Sequence, residues 1–254
     1  MKKFIYFWKE IANSWWGAVA FYTIIPLPQQ WSLQLTRIAR FAPLIGILLG
    51  GILAVFDQTL SIINVPILTR SALVVAVGIL LTGGLHLDGV IDTADGLAVL
   101  DSEKRLQVMK DSTTGAFGVI AAVIVLILKI VAFSEITQVR WLILILMSGW
   151  GRWGQVSAIA LYPYLRDQGK GDFHKEALKS PQDVLLGGIA LGLITLIGLI
   201  YWQWDVIIPL FLGMAIPLLV GWWFNRQLGG QTGDTYGAVV EWSEALYLCV
   251  LTTL

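Results

Sequence analysis

The sequence predicts an all-α protein, a polytopic integral membrane helical bundle of 7–8 transmembrane helices in one domain, residues 1–254. Three observations predict it. Of 254 residues, 57% are hydrophobic and 13% charged, whereas a soluble domain carries roughly a quarter charged residues. Mean hydropathy is +0.75. The apolar residues gather in runs of about twenty, the helix length that crosses a bilayer.

The first run, residues 4–25, holds Lys9, Glu10, Asn13 and Ser14 among its aromatic side chains. That mixture suits a helix lying in the interface at least as well as a spanning one. The same polar residues break up what would be a signal-peptide core, which argues against cleavage near Ala18–Ala20. Seven spans follow, over 38–56, 67–85, 117–133, 141–161, 184–202, 206–224 and 238–254. Arg37, Arg40, Lys104, Arg105, Lys110, Arg166, Lys170, Lys175, Lys179 and Arg226 fall in connections on one side. The other side holds Arg70 and Arg140, so the basic side is predicted to face the cytoplasm. If the first run lies flat, Lys2, Lys3 and Lys9 join the basic side and the asymmetry grows.

Most of the twelve tryptophans sit near predicted helix ends, as an aromatic belt would. Gly46 with Gly50, and Gly188 with Gly192, are small-residue pairs expected at close helix packing. The lone Cys249 excludes an intrachain disulfide. Zero net charge gives no basis for nucleic-acid binding. The residues leave oligomeric state open, a homo-oligomer included.

The stretch 82–101 sets four aspartates directly after an apolar run. Asp88, Asp92 and Asp95 stand at i, i+4 and i+7, so on a helix they share about 60° of arc. Like charges so close resist ionising together, and no Lys or Arg intervenes between Arg70 and Lys104. Oxygen ligands of this kind suit Mg²⁺ or Mn²⁺. A second acidic block, residues 229–244, repeats the Gly-Gly-x-x-x-Asp opening and brings Asp234, Glu241 and Glu244. Glu241 and Glu244 fall inside a span, where charge is costly and usually functional. The alternative for them is a buried structural partner for Arg152, itself an intramembrane charge.

Between the blocks, Lys110, Ser112, Thr113, Thr114, Gly115 and Gly118 precede a new span. They suit either an anion site at a helix N-terminus or an ordinary N-cap. His86 is out of phase with Asp88 and is read as a base, a hydrogen-bond donor or a plain interfacial side chain. His174 is read as a surface residue, and Arg166 as a phosphate contact. Acids that gather a divalent metal, beside basic and glycine-rich loops, suit phosphoryl or phospho-alcohol transfer.

The blocks FYTIIPLP (21–28), PLIGILLG (43–50), GGLHLDGVIDTADG (83–96), MKDSTTGAFG (109–118) and LGGQTGDTYGAVVE (228–241) resemble the cobalamin-5′-phosphate synthase family, also called adenosylcobinamide-GDP ribazoletransferase. YPYLRDQGKGDF (162–173) is a looser sixth block. The resemblance implies a Mg²⁺-dependent enzyme of the bacterial or archaeal cytoplasmic membrane, with its active site facing the cytoplasm. It would join adenosylcobinamide-GDP to α-ribazole or its 5′-phosphate and release GMP. On that reading Asp88, Asp92, Asp95, Asp234 and Glu241 hold the metal. Asp111 and His86 join the three α-helical aspartates as catalytic residues. Lys110, Ser112, Arg152, Arg166, Gln231 and Thr232 contact substrate. The family often carries Arg before the final Pro-x-Pro of the first block, where this chain has Ile24 and Ile25. If that Arg contacts substrate, the contact is either missing here or supplied by Arg37 or Arg40. Two other classes compete: an ion-coupled transporter using Asp234, Glu241, Glu244 and Arg152, and a CDP-alcohol phosphotransferase making lipid.

Overall fold

The computed structural model describes residues 2–111, 113–166, 172–201 and 207–253. Among the described residues the regular structure is helical, apart from one parallel bridge between Tyr164 and Gln231. Its helices are α1 (Lys2–Tyr22), α2 (Ala42–Ile62), α3 (Ile67–Leu81), α4 (Leu85–Ala98), α5 (Ser102–Val108), α6 (Ala116–Glu135), α7 (Arg140–Leu161), α8 (Asp172–Ala177), α9 (Gln182–Tyr201), α10 (Ile207–Leu228) and α11 (Gly233–Leu251). A 3-10 turn, Ile38–Phe41, leads into α2.

Helix α7 is the axis of the bundle. Every residue from Leu146 to Ile159 is buried, as expected of a helix surrounded on all sides. Small residues make this possible, because they let helix backbones approach. A Cβ on Gly46 would overlap the Ser148 carbonyl, and one on Gly50 would overlap the Leu144 carbonyl. The first small-residue pair therefore does seat α2 on α7. In the second pair, Gly188 packs on the Trp153 indole, while Gly192 is nearly open.

Large apolar side chains remain on the outside of the bundle, including Phe117, Ile120, Ile124 and Ile127 of α6 and Ile189, Leu193, Ile197 and Ile200 of α9. Such surface fits lipid. The unit from Ile38 to Ile62, α6 and α10 are each long and apolar enough to cross a membrane. α3 and α4 together make a fourth such unit, bent by 89°. This count of three or four is below the expected 7–8, for physical reasons. α7 carries Arg140 and Arg152, and α11 carries Asp234, Glu241 and Glu244. α3 has 15 residues, short of the roughly 20 that span.

A buried ion cluster closes the end of the bundle where α2 stops and α7 begins. Asp57 takes Arg140 at 2.8 and 3.0 Å and Arg70 at 3.1 Å. Arg140 also donates to the Phe133 and Ile136 carbonyls, which terminates α6. The predicted site residues gather toward the opposite end.

Candidate functional site

The site begins with a break in the chain. Gly83 and Gly84 have φ of +61° and +74°, a conformation glycine adopts without strain. The Gly84 N–H donates to the Ile79 carbonyl at 3.0 Å, the bond that stops a helix in a Schellman motif. α4 then leaves α3 at 89°. The sequence reading ran one span through residue 85 and set the aspartates just beyond it; the structure instead starts a new helix there.

Two glycines then bring α4 against α11. A Cβ on Gly89 would overlap the Asp234 carbonyl, and one on Gly237 would lie 3.1 Å from the His86 Cα and carbonyl oxygen. This crossing places the C-terminal acidic block beside the first. The charges of Asp234, Asp88 and Asp95 bear on the Asp92 carboxylate, and the Arg166 guanidinium opposes them. Arg166 donates to Asp234 at 2.6 Å and to the Met109 carbonyl at 3.2 Å. Four predicted residues from three distant segments thus meet: Asp88, Asp92, Asp234 and Arg166. Neither Asp88 nor Asp92 has a hydrogen-bond or ion-pair partner among the described residues. Also among the described residues, no three His, Cys, Asp or Glu side chains form a group that could hold a metal ion.

Asp95 takes a different place from the one expected. Its two carboxylate oxygens accept the Gly115 N–H at 2.7 Å and the Gly118 N–H at 2.8 Å. A Cβ on either glycine would overlap that carboxylate. The anion at the N-terminus of α6 is therefore the chain's own Asp95, stabilised by free N–H groups and the helix dipole. This corrects the expectation from sequence, which gives that N-terminus to substrate phosphate and Asp95 to metal. Lys110 and Asp111 are exposed on the preceding loop, and Ser112 lies outside the described residues. Hydrogen bonds from Thr113 hold the Asp111 carboxyl below the usual carboxylate range.

The Gln-Thr-Gly-Asp block is built into the scaffold. Gln231 is buried; its side chain donates to the Gly221 carbonyl at 2.8 Å. Its backbone pairs with Pro163 and Leu165 at 2.8 and 2.9 Å, which sets Arg166 opposite Asp234. Thr232 caps α11 in a reciprocal box with Thr235. Both had been expected to contact substrate, and the contacts they make are internal.

Glu241 lies seven residues past Asp234, about 10 Å along the helix. It accepts from Lys129 at 2.7 Å. Glu244 accepts from Lys129 and, at 2.9 Å, from Arg152. All four side chains are buried. The structure thus separates Glu241 and Arg152 from the Asp92 cluster and links them through Lys129 and Glu244. The partnership of Glu244 with Arg152 is the alternative that the sequence offers for this acid; Lys129 was missed. The signal was present, since Lys129 is a lone charge in VLILKIVAF and intramembrane charges seek partners.

His86 is buried at the start of α4, with neither ring nitrogen hydrogen-bonded among the described residues. It stacks on Tyr22 at 6.3 Å, and Tyr22 stacks on His174 at 6.2 Å. His174, expected at the surface, is therefore buried. Phe21 packs edge-on against it at 5.0 Å, and Lys175 anchors α8 by donating to the Ile159 and Tyr162 carbonyls at the end of α7.

A family model described as Cobalamin-5-phosphate synthase matches residues 14–252. The chain is 52% identical over 244 residues to a Trichormus variabilis protein named adenosylcobinamide-GDP ribazoletransferase, covering 94% of this chain and 96% of that one. A Synechococcus elongatus protein of the same name is 50% identical, covering 91% and 92%. One from Desulfitobacterium hafniense is 38% identical, covering 92% and 94%. No solved structure matches the chain.

Proposed function

The chain belongs to the cobalamin-5-phosphate synthase family, and from that premise we propose that it is an adenosylcobinamide-GDP ribazoletransferase acting late in cobalamin biosynthesis. A ribose hydroxyl of α-ribazole, or of its 5′-phosphate, attacks the cobinamide-side phosphorus of adenosylcobinamide-GDP. A P–O bond forms to the ribazole, the bond to the GMP oxygen breaks, and GMP leaves. The product is adenosylcobalamin or its 5′-phosphate. The hydroxyl proton passes to a base, for which His86 and Asp111 are the candidates. Family membership sets aside the transporter and lipid-synthesising readings.

The observation that carries the site is the meeting of Asp88, Asp92, Asp234 and Arg166 where α4 crosses α11. Phosphoryl transfer depends on positioning and charge neutralisation. Arg166 supplies a guanidinium that a substrate phosphate shares with Asp234. Lys110 follows Met109, whose carbonyl accepts from Arg166, so a second cation stands next to it in the chain. The crossing glycines hold these groups on rigid helices.

Mg²⁺ fits this donor set. The ion is usually held by one or two carboxylates together with substrate phosphates and water, and Asp88 and Asp92 are carboxylates without a partner among the described residues, with Asp234 adjacent. When bound, the ion supplies neutralisation of pyrophosphate charge. Asp95 and Glu241 are the weaker candidates, because backbone N–H groups and Lys129 already engage them.

The same reading places the protein in the cytoplasmic membrane, with α1 in the interface and seven crossings: α2, the bent α3–α4 unit, α6, α7, α9, α10 and α11. The basic connections support a cytoplasmic site. Purified enzyme in detergent tests the proposal, because catalysis needs no sealed compartment. GMP should be released from adenosylcobinamide-GDP only with both α-ribazole and Mg²⁺. Failure to form the ribazole adduct would overturn the assignment, and a full rate in chelator would remove the metal.

A further inference from the structure

A polar cavity of about 320 Å³ lies between α1 and the turn before α2, lined by Glu10, Ser14, Gln34, Thr36, Arg37 and Arg40. None of these residues belongs to the acidic site. The segment before α2 folds back to make the cavity. The Gln34 N–H donates to the Asn13 carbonyl at 3.2 Å, and Gly17 leaves room for the Gln34 backbone against α1. Arg37 is held in the left-handed region, at φ +55°, which is uncommon for a residue with a Cβ.

The two arginines are not equivalent. Arg37 donates to Asp183 at 2.6 Å, so its charge is met from α9. Arg40 has no hydrogen-bond or ion-pair partner among the described residues, and its guanidinium lies over the Phe41 ring at 4.5 Å. The remaining acid, Glu10, is exposed at the rim. The cavity thus presents a half-buried guanidinium with no direct ion-pair partner among the described residues, reached by the Asp183 charge only at longer range and backed by hydroxyl and amide groups. Tryptophans mark its depth. Trp16 packs on Trp31 at 4.5 Å, and Trp15 packs edge-on to Phe41 at 5.7 Å; such residues settle at the headgroup level. The span Ile38–Ile62 begins at the same place.

We infer that this cavity binds the phosphate of an anionic phospholipid headgroup, with Arg40 as the principal donor and Arg37, Ser14 and Thr36 beside it. A guanidinium grips two phosphate oxygens at once. A free phosphate or a substrate phosphate would offer the same oxygens. The lipid is favoured because tryptophans frame the cavity and a span starts at its floor.

The test uses the whole protein in nanodiscs of phosphatidylcholine with a minor share of phosphatidylglycerol, followed by native mass spectrometry of retained lipid. Wild type should retain phosphatidylglycerol in preference to phosphatidylcholine. Arg40→Gln should weaken that preference by about tenfold, the loss expected for one charge-assisted contact. Arg40→Lys keeps the charge and should fall between them, which separates loss of the pocket from loss of the fold. Excess inorganic phosphate should leave the retained lipid in place. Equal retention of the two lipids by wild type would overturn the inference, as would wild-type behaviour of Arg40→Gln. Displacement of the lipid by inorganic phosphate would overturn it in favour of a soluble anion.

Discussion

Replacing Asp95 by Asn separates a capping role from a metal-binding one. The carboxylate accepts the Gly115 N–H at 2.7 Å and the Gly118 N–H at 2.8 Å, one on each oxygen. Asn keeps one acceptor and turns an NH₂ toward the other N–H. One charge-assisted hydrogen bond of about 1.5–3 kcal/mol is lost. The attraction of a negative charge to the N-terminus of α6, about 0.3–1 kcal/mol, goes with it. The expected loss is therefore about 2–4 kcal/mol. In a chain of this size each kcal/mol moves the midpoint by about 2–4 °C, so the melting temperature should fall by roughly 5–15 °C. Thermal unfolding in detergent, followed by tryptophan fluorescence, reads the fall. GMP release well below the midpoint should stay within about tenfold of wild type, because no ligand to the metal has been removed. An unchanged midpoint with a raised Mg²⁺ requirement would refute the reasoning and return Asp95 to the metal.

Four further outcomes are expected. Asp88→Asn and Asp92→Asn should each lower GMP release by at least about a hundredfold while melting like wild type; near-normal turnover would remove the residue from the site. Lys129→Met takes the ion-pair partner from Glu241 and leaves Glu244 with Arg152 alone, and a broken buried pair costs about 3–5 kcal/mol. The midpoint should drop and partly recover when Glu241→Gln is added; no recovery would argue against a shared charge network. Burial pushes the His174 imidazole from 6.5 down to about 4, so the fold holds it neutral. Unfolded chain takes up the proton first; stability is complete above about pH 6.5 and falls toward pH 4, by up to about 1.4 kcal/mol per unit. A melting profile of wild type as flat over that range as that of His174→Phe would contradict this. Gly89→Ala should push α4 from α11, where an ordinary Cβ contact needs space that the Asp234 carbonyl occupies. A shift near 1 Å at a catalytic group lowers turnover by about a hundredfold, and an unchanged kcat would show that the crossing does not set the site.

Much of this was legible in the chain because membrane helices report themselves by length and hydropathy. The pairing of the two acidic blocks was also legible, since both open on Gly-Gly and set an acid four residues past the second glycine. What those glycines do was less so. Gly83 and Gly84 fall inside the span that hydropathy draws over 67–85, whereas their positive φ values end α3 and re-aim α4. Gly115 and Gly118 read as the rim of an anion site, and only the fold shows that Asp95 fills it. Periodicity puts Asp88, Asp92 and Asp95 on one face, yet a face 60° wide touches more than one neighbour: Asp92 meets Asp234 while Asp95 meets α6. Partners of charges inside spans were harder still. Lys129 reaches Glu241 and Glu244 across more than a hundred residues, and nothing in local spacing encodes that distance. The sequence reads α7 and α11 as spans, yet both carry ionic groups that lower their hydropathy, so length and composition alone leave them out of the three or four clear spans.

A double-mutant cycle between Asp92 and Asp234 tests most directly whether α4 and α11 build one site. The quantity is kcat/KM for GMP release in Asp92→Asn, Asp234→Asn and the double variant, at saturating Mg²⁺. Groups that act as a unit are strongly non-additive. The double variant should therefore be within a few-fold of the worse single variant, roughly. Losses that multiply through, as for two independent positions, would mean that the two acidic blocks serve separate places.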